Sequence, residues 1–135
     1  MLKNKKMLLI IIIGVIAVAG VVVYMLFLKP EPPIVYSYYS PGEAFVTNVK
    51  ETGRLFKSGL VLVVDTEDEK VTGDFTLRNA LIRDTIIFIL RDLSEEEILA
   101  PDNKEALRQE IISQLNTRLE TEHIVDMYFN DYVVQ

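Results

Sequence analysis

His123 is the single imidazole of this 135-residue chain, and histidine is the side chain best suited to proton transfer or metal ligation near neutral pH. Catalysis through it needs partners at a recognisable spacing, yet no G-x-S-x-G or H-E-x-x-H run is present. It falls where a helix gives way to the last strand, so an ordinary surface or helix-terminal histidine is expected. Asp65, Glu67, Asp68 and Glu69 could offer oxygens to a hard cation, but the Gly and later Glu of an EF-hand loop are missing, and a solvated loop is expected instead. With no Cys there is no thiolate nucleophile, disulfide framework or Cys-based zinc or iron-sulfur site. No catalytic, cofactor-binding or metal residue is assigned, and no cofactor is expected.

Arg83-Asp84 is the more informative pair. Adjacent helix residues point about 100° apart, so the two cannot bond each other well. Each must find its partner across the fold or across a subunit interface. Glu95, Glu96 and Glu97 read as the solvated first turn of a short helix that could also face a basic partner. Asn48 and Asn116 read as turn or backbone-bonding residues.

The net charge of −6 mixes two unlike pieces. Residues 1–30 carry Lys3, Lys5, Lys6 and Lys29 and no acid, whereas residues 31–135 carry 10 Lys+Arg against 20 Asp+Glu, a net of −10. Such an excess of acid excludes nucleic-acid binding, which needs clustered cations. Met7 to Leu28 is an uncharged run of 22 residues; as a helix it is ~33 Å long, matching a hydrocarbon core of ~30 Å. Residues 7–28, bounded by Met7, Leu8 and Leu28, are therefore expected to anchor the chain in membrane lipid. Gly14, Ala17 and Gly20 lie along one face and allow close helix approach without forming G-x-x-x-G. The competing reading is a signal peptide cleaved after Ala19, which would release a secreted protein with a naked apolar start from Val21 to Leu28. The three lysines of residues 1–6 form a basic tail that should stay in the cytoplasm, leaving the acidic piece periplasmic or outside the cell.

Pro30, Pro32, Pro33 and Pro41 make residues 29–43 a stiff, extended spacer, with Tyr36, Tyr38 and Tyr39 either available to headgroups or to a protein, or packing their rings on the domain from a partly ordered linker. Residues 44–135 then read as one domain. Ala44–Lys50 alternates as a half-buried strand and Leu55–Asp65 returns as its hairpin partner. Ile82, Ile86, Ile89 and Leu93 stripe an amphipathic helix expected over about 75–93. Asp102, with Glu105 three residues on, reads as the capping box of a second helix lined by Leu107, Ile111, Leu115 and Leu119. Val125, Met127, Phe129 and Val133 are expected on one side of a final strand. The fold class is α+β, an antiparallel sheet with helices packed on one side.

These pieces together resemble the FliL family of flagellar basal-body-associated proteins. The likeness is carried by the N-terminal anchor, the Pro-rich spacer, F-V-T-N-V at Phe45–Val49, I-R-D at Ile82–Asp84, E-I-I-S-Q-L-N at Glu110–Asn116 and M-Y-F-N-D-Y-V-V-Q at Met127–Gln135. The resemblance implies a stomatin-like (SPFH-like) domain behind a single inner-membrane helix in the flagellum basal body. It further implies a homo-oligomeric ring around the stator proteins MotA and MotB, near the MS ring, and a non-enzymatic role in stabilising or activating stators for torque and swarming. Tyr38, Tyr39, Arg83, Asp84, Arg91 and Glu95 are the candidate oligomer or stator contacts. Tyr132 departs from the Phe usual in the family. The alternative is a monomeric membrane-tethered sensor or ligand-binding domain.

Overall fold

The computed structural model describes residues 2–135, which form two compact units divided between Pro33 and Ile34. The first unit is helix α1 (Leu2–Val23), which continues as a π-helical turn through Tyr24–Leu28. The stretch Lys3–Leu28 is long and apolar enough to cross a membrane, and its side chains are exposed all round. That exposure separates it from a core helix of a water-soluble domain.

The second unit is a two-layer α+β domain. Its centre is β3 (Leu55–Val64). Along one edge β3 pairs antiparallel with β1 (Ser37–Tyr39) and then with β2 (Phe45–Asn48); along the other it pairs with β4 (Ile124–Val134). Helices α2 (Glu69–Leu77), α3 (Asn79–Arg91), α4 (Glu95–Leu99) and α5 (Asn103–Leu119) supply the second layer. Phe45, Phe56, Leu60, Leu62 and Val64 from the sheet meet Phe75, Ile82, Ile86, Ile111 and Leu115 from the helices in one core, all almost fully buried.

The hairpin forms as expected: Phe45, Thr47 and Val49 are buried while Val46 and Asn48 are exposed. Four features differ. Ser37–Tyr39, expected within the spacer, is a strand of the sheet, with Tyr39 packed edge-on against Phe75. The expected single helix over about 75–93 is two helices. Asp68 accepts the Lys70 N–H and starts α2 six residues before Phe75. Arg78 then leaves helical geometry because its guanidinium is held between Asp74 and the Leu119 carbonyl at the end of α5. The Asp102 capping box does not form: Asp102 makes no side-chain cap, and Glu105 bonds Arg108 and Gln109 instead. The Ser94 hydroxyl caps α4 by accepting the Glu97 N–H.

The last strand carries the fourth difference. Two register shifts against β3, between Gly59 and Leu60 and between Val63 and Val64, leave Asn130 and Val125 without opposite residues. Each extra residue flips the alternation. The inward set is therefore Ile124, Met127, Phe129, Tyr132 and Val134, while Val125 and Val133, expected inside, are each 44% exposed.

Candidate interaction surface

Arg83 and Asp84 diverge as their helical spacing requires. Arg83 donates to the Pro41 and Glu43 carbonyls at 3.1 and 3.0 Å and stacks over the Phe45 ring. Asp84 pairs with Arg118 at 3.1 Å, and Arg118 also bonds the buried Thr85 hydroxyl. Both members of the pair thus have partners within the domain. Asn79, which sequence reasoning did not single out, donates to the same Pro41 carbonyl and accepts from the Tyr39 hydroxyl at 2.8 Å. Arg83, Asn79 and Tyr39 together hold the strap between β1 and β2 against α3. Gly42 at its bend has a φ of +114°, which a side chain rarely adopts.

Tyr39 is held in its neutral form: burial raises its pKa, with the Thr76 side chain acting the other way. Tyr132 is likewise raised by burial, and its hydroxyl donates to the Ile98 carbonyl at 2.8 Å. Glu95 pairs with Arg54, joining α4 to the β2–β3 hairpin. Arg91 differs from these. Among the described residues it has no carboxylate partner, and its guanidinium lies 5.6 Å from the Phe88 ring centroid.

The sheet face turned away from the helices mixes apolar side chains with Asp126, opposite Val63, and with the Lys57–Asp131 ion pair. Tyr38 lies directly opposite Val63 and Val61 directly opposite Tyr128. Val63 is only 5% exposed although it lies outside the helix-covered core, while Tyr38 and Tyr128 are 65% and 51% exposed. Exposed aromatic side chains such as Tyr38 and Tyr128 suit contact surfaces. A depression of about 430 Å³ between α3 and α5, lined by Asp84, Phe88, Glu110 and Arg118, opens elsewhere on the domain.

His123 Nδ1 lies 2.6 Å from Asp65 Oδ1, and their backbones are joined by the Asp65 N–H donating to the His123 carbonyl. The pair closes the ends of β3 and β4 and brings no nucleophile with it. Asn116 bonds the backbone of Ile124 in both directions, an ordering role at the α5–β4 turn. Among the described residues no group of three or more His, Asp or Glu side chains is placed to hold a metal ion. The local chemistry is that of packing, ion pairing and backbone capture.

Residues 38–135 match the family model described as flagellar basal body-associated protein FliL. A curated relative, the flagellar protein FliL of Aquifex aeolicus (strain VF5), is 26% identical over 107 residues, covering 79% of this chain. The match spans 66% of that relative, just under two thirds of its length. The matched region begins within β1, so Tyr38 and Tyr39 of the strand that the sequence pattern leaves in the spacer fall inside the region shared with the family.

Proposed function

This chain belongs to the FliL family of flagellar basal body-associated proteins, and we propose that it is a single-pass, non-enzymatic scaffold of the flagellar motor that assembles around stator units and supports torque. The match to the family over residues 38–135 carries this reading. In it, the apolar helix is an inner-membrane anchor, the basic tail stays cytoplasmic, and the acidic domain stands in the periplasm as a stomatin-like module. The domains meet side by side in a ring near the MS ring and hold MotA–MotB complexes. The exposed Tyr38 and Tyr128 rings support a role in assembly, since burying aromatic area gives contact energy at low entropic cost. Arg91 and Glu95 lie at the other end of the domain as polar contacts. Arg83, Asp84 and Tyr39 act from behind, fixing the strap and helix that present the surface.

A ring of domains each carrying a net charge of −10 is opposed by long-range repulsion, which salt screens. Deleting the gene should leave flagella assembled while reducing swarming on stiff agar and rotation in viscous medium. Normal motility under both loads would refute the reading.

A further inference from the structure

The outer edge of β2 borders a groove of about 630 Å³ whose other wall is α3, with Thr47, Asn48, Lys50, Ile87 and Arg91 among its lining residues. Two independent observations show what it can hold. The first concerns the backbone. The Val49 N–H donates inward to Arg54, so the antiparallel alternation turns the peptide groups of Val46, Asn48 and Lys50 away from β3. The Lys50 N–H is already used by the Leu93 carbonyl in a one-residue parallel bridge to Ser94. Val46 and Asn48 thus present a strand edge that β3 cannot satisfy, in line with a place where the chain itself has begun a pairing.

The second is electrostatic. Lys50 is paired with Asp92 at 3.7 Å, whereas Arg91, in a domain whose overall balance is strongly acidic, has no carboxylate partner among the described residues. A guanidinium without a carboxylate partner beside a free strand edge selects both the shape and the sign of the occupant.

We propose that the β2–α3 groove is a docking site for an extended, carboxylate-bearing segment of a partner protein. The segment adds to the edge of β2 through main-chain hydrogen bonds with Val46 and Asn48. Its apolar side chains lie against Ile87, and its acidic side chain or chain-terminal carboxylate is received by Arg91, whose planar fork suits bidentate binding. The site rests on groove geometry and holds or fails independently of the motor reading.

The test uses the full chain in detergent micelles and a fluorescein-labelled octapeptide of alternating Val and Thr that ends in Glu. Two companion peptides carry a Lys amide in place of the Glu, or N-methyl groups on alternate backbone amides. Fluorescence anisotropy should show saturable binding of the Glu peptide, at least tenfold weaker binding of the Lys peptide, and loss of binding on N-methylation. Arg91→Glu, at an exposed position and checked for an unchanged melting temperature, should weaken the Glu peptide at least tenfold and improve the Lys peptide. No saturable binding of the Glu peptide, or equal binding by Arg91→Glu, would overturn the proposal, as would indifference to N-methylation.

Discussion

Replacing Tyr132 by Phe removes a single oxygen, and the structure gives that oxygen one task. It donates to the Ile98 carbonyl of α4 at 2.8 Å while the ring packs edge-on to Phe56 and Phe129 at centroid distances of 4.9 and 5.1 Å. The ring contacts survive the substitution; the hydrogen bond does not. Its net loss at neutral pH should cost about 1 kcal/mol, which in a domain of about 100 residues lowers the melting temperature by roughly 4–8 °C. The pH dependence separates this bond from a packing effect. Burial raises the Tyr132 pKa above its ordinary value of 10.0, so the fold favours the neutral phenol. The associated stability is fully present below pH 10.0 and is lost as pH rises through the higher folded-state pKa. Phe has no proton to lose. Melting curves of the two proteins in the same detergent, followed by circular dichroism from pH 7 to pH 11, should therefore show a gap that is constant up to about pH 10 and narrows above it. The titration of the other tyrosines and lysines, common to both proteins, cancels in that difference. Equal melting temperatures at neutral pH, or a gap that stays constant to pH 11, would refute the reasoning.

Ser58 is fully buried in the middle of β3 and its hydroxyl has no partner among the described residues; Ser58→Ala should raise stability by about 1 kcal/mol, read as a higher denaturant midpoint at unchanged slope. At Gly59 an added Cβ would overlap the end of the exposed Asn130 side chain, which must swing aside, and lie 3.2 Å from Asp131 Cβ, so Gly59→Ala should cost about 1 kcal/mol or less. Asn130→Ala in the same chain should recover part of that loss in thermal melts, and a pair of losses that simply add would contradict the contact. Removing Tyr128–Gln135 takes Phe129, Tyr132 and Val134 from the core margin and leaves much of β3 without its partner; cooperative melting should vanish.

What the sequence disclosed divides along a physical line. Periods set by one element's own geometry were legible: the buried Phe45, Thr47 and Val49 of the first hairpin strand, the Ile82–Ile86 stripe, and the Leu107–Ile111–Leu115–Leu119 face of α5 all lie where periodicity puts them. Features decided by a distant residue were not. The break at Arg78 depends on the Leu119 carbonyl 41 positions away. The strand at Ser37–Tyr39 exists because the end of β3 offers an edge to it, and a Pro-rich context disguises so short a run. Val133 was misplaced because a bulge at Asn130 changes the parity of every residue beyond it, and nothing in N-D-Y-V-V announces a bulge. Of the candidate contacts, the divergence of Arg83 and Asp84 followed from helix geometry alone. Asn79 and Arg118, which complete their networks, could be found only once the fold had brought them near.

The sheet's two outer edges carry opposite treatments, and that contrast bears on where a partner can dock. β4 is 11 residues long and would be the natural template for unwanted pairing. It is interrupted by two bulges and carries Asp126 and Asp131 along its length. Those devices break the regular ladder that an added strand needs. β2 is four residues long, has no bulge in its register with β3, and turns its free peptide groups toward a groove with a cation in its wall. A short edge is a weak template for aggregation, since two residues' worth of main-chain bonds cannot hold a strand by themselves. It becomes a selective one when affinity must be completed by a side chain, and Arg91 supplies that requirement. The protection of β4 and the exposure of β2 therefore follow one logic: promiscuous pairing is blocked where the edge is long, and pairing is left open where charge can choose the partner.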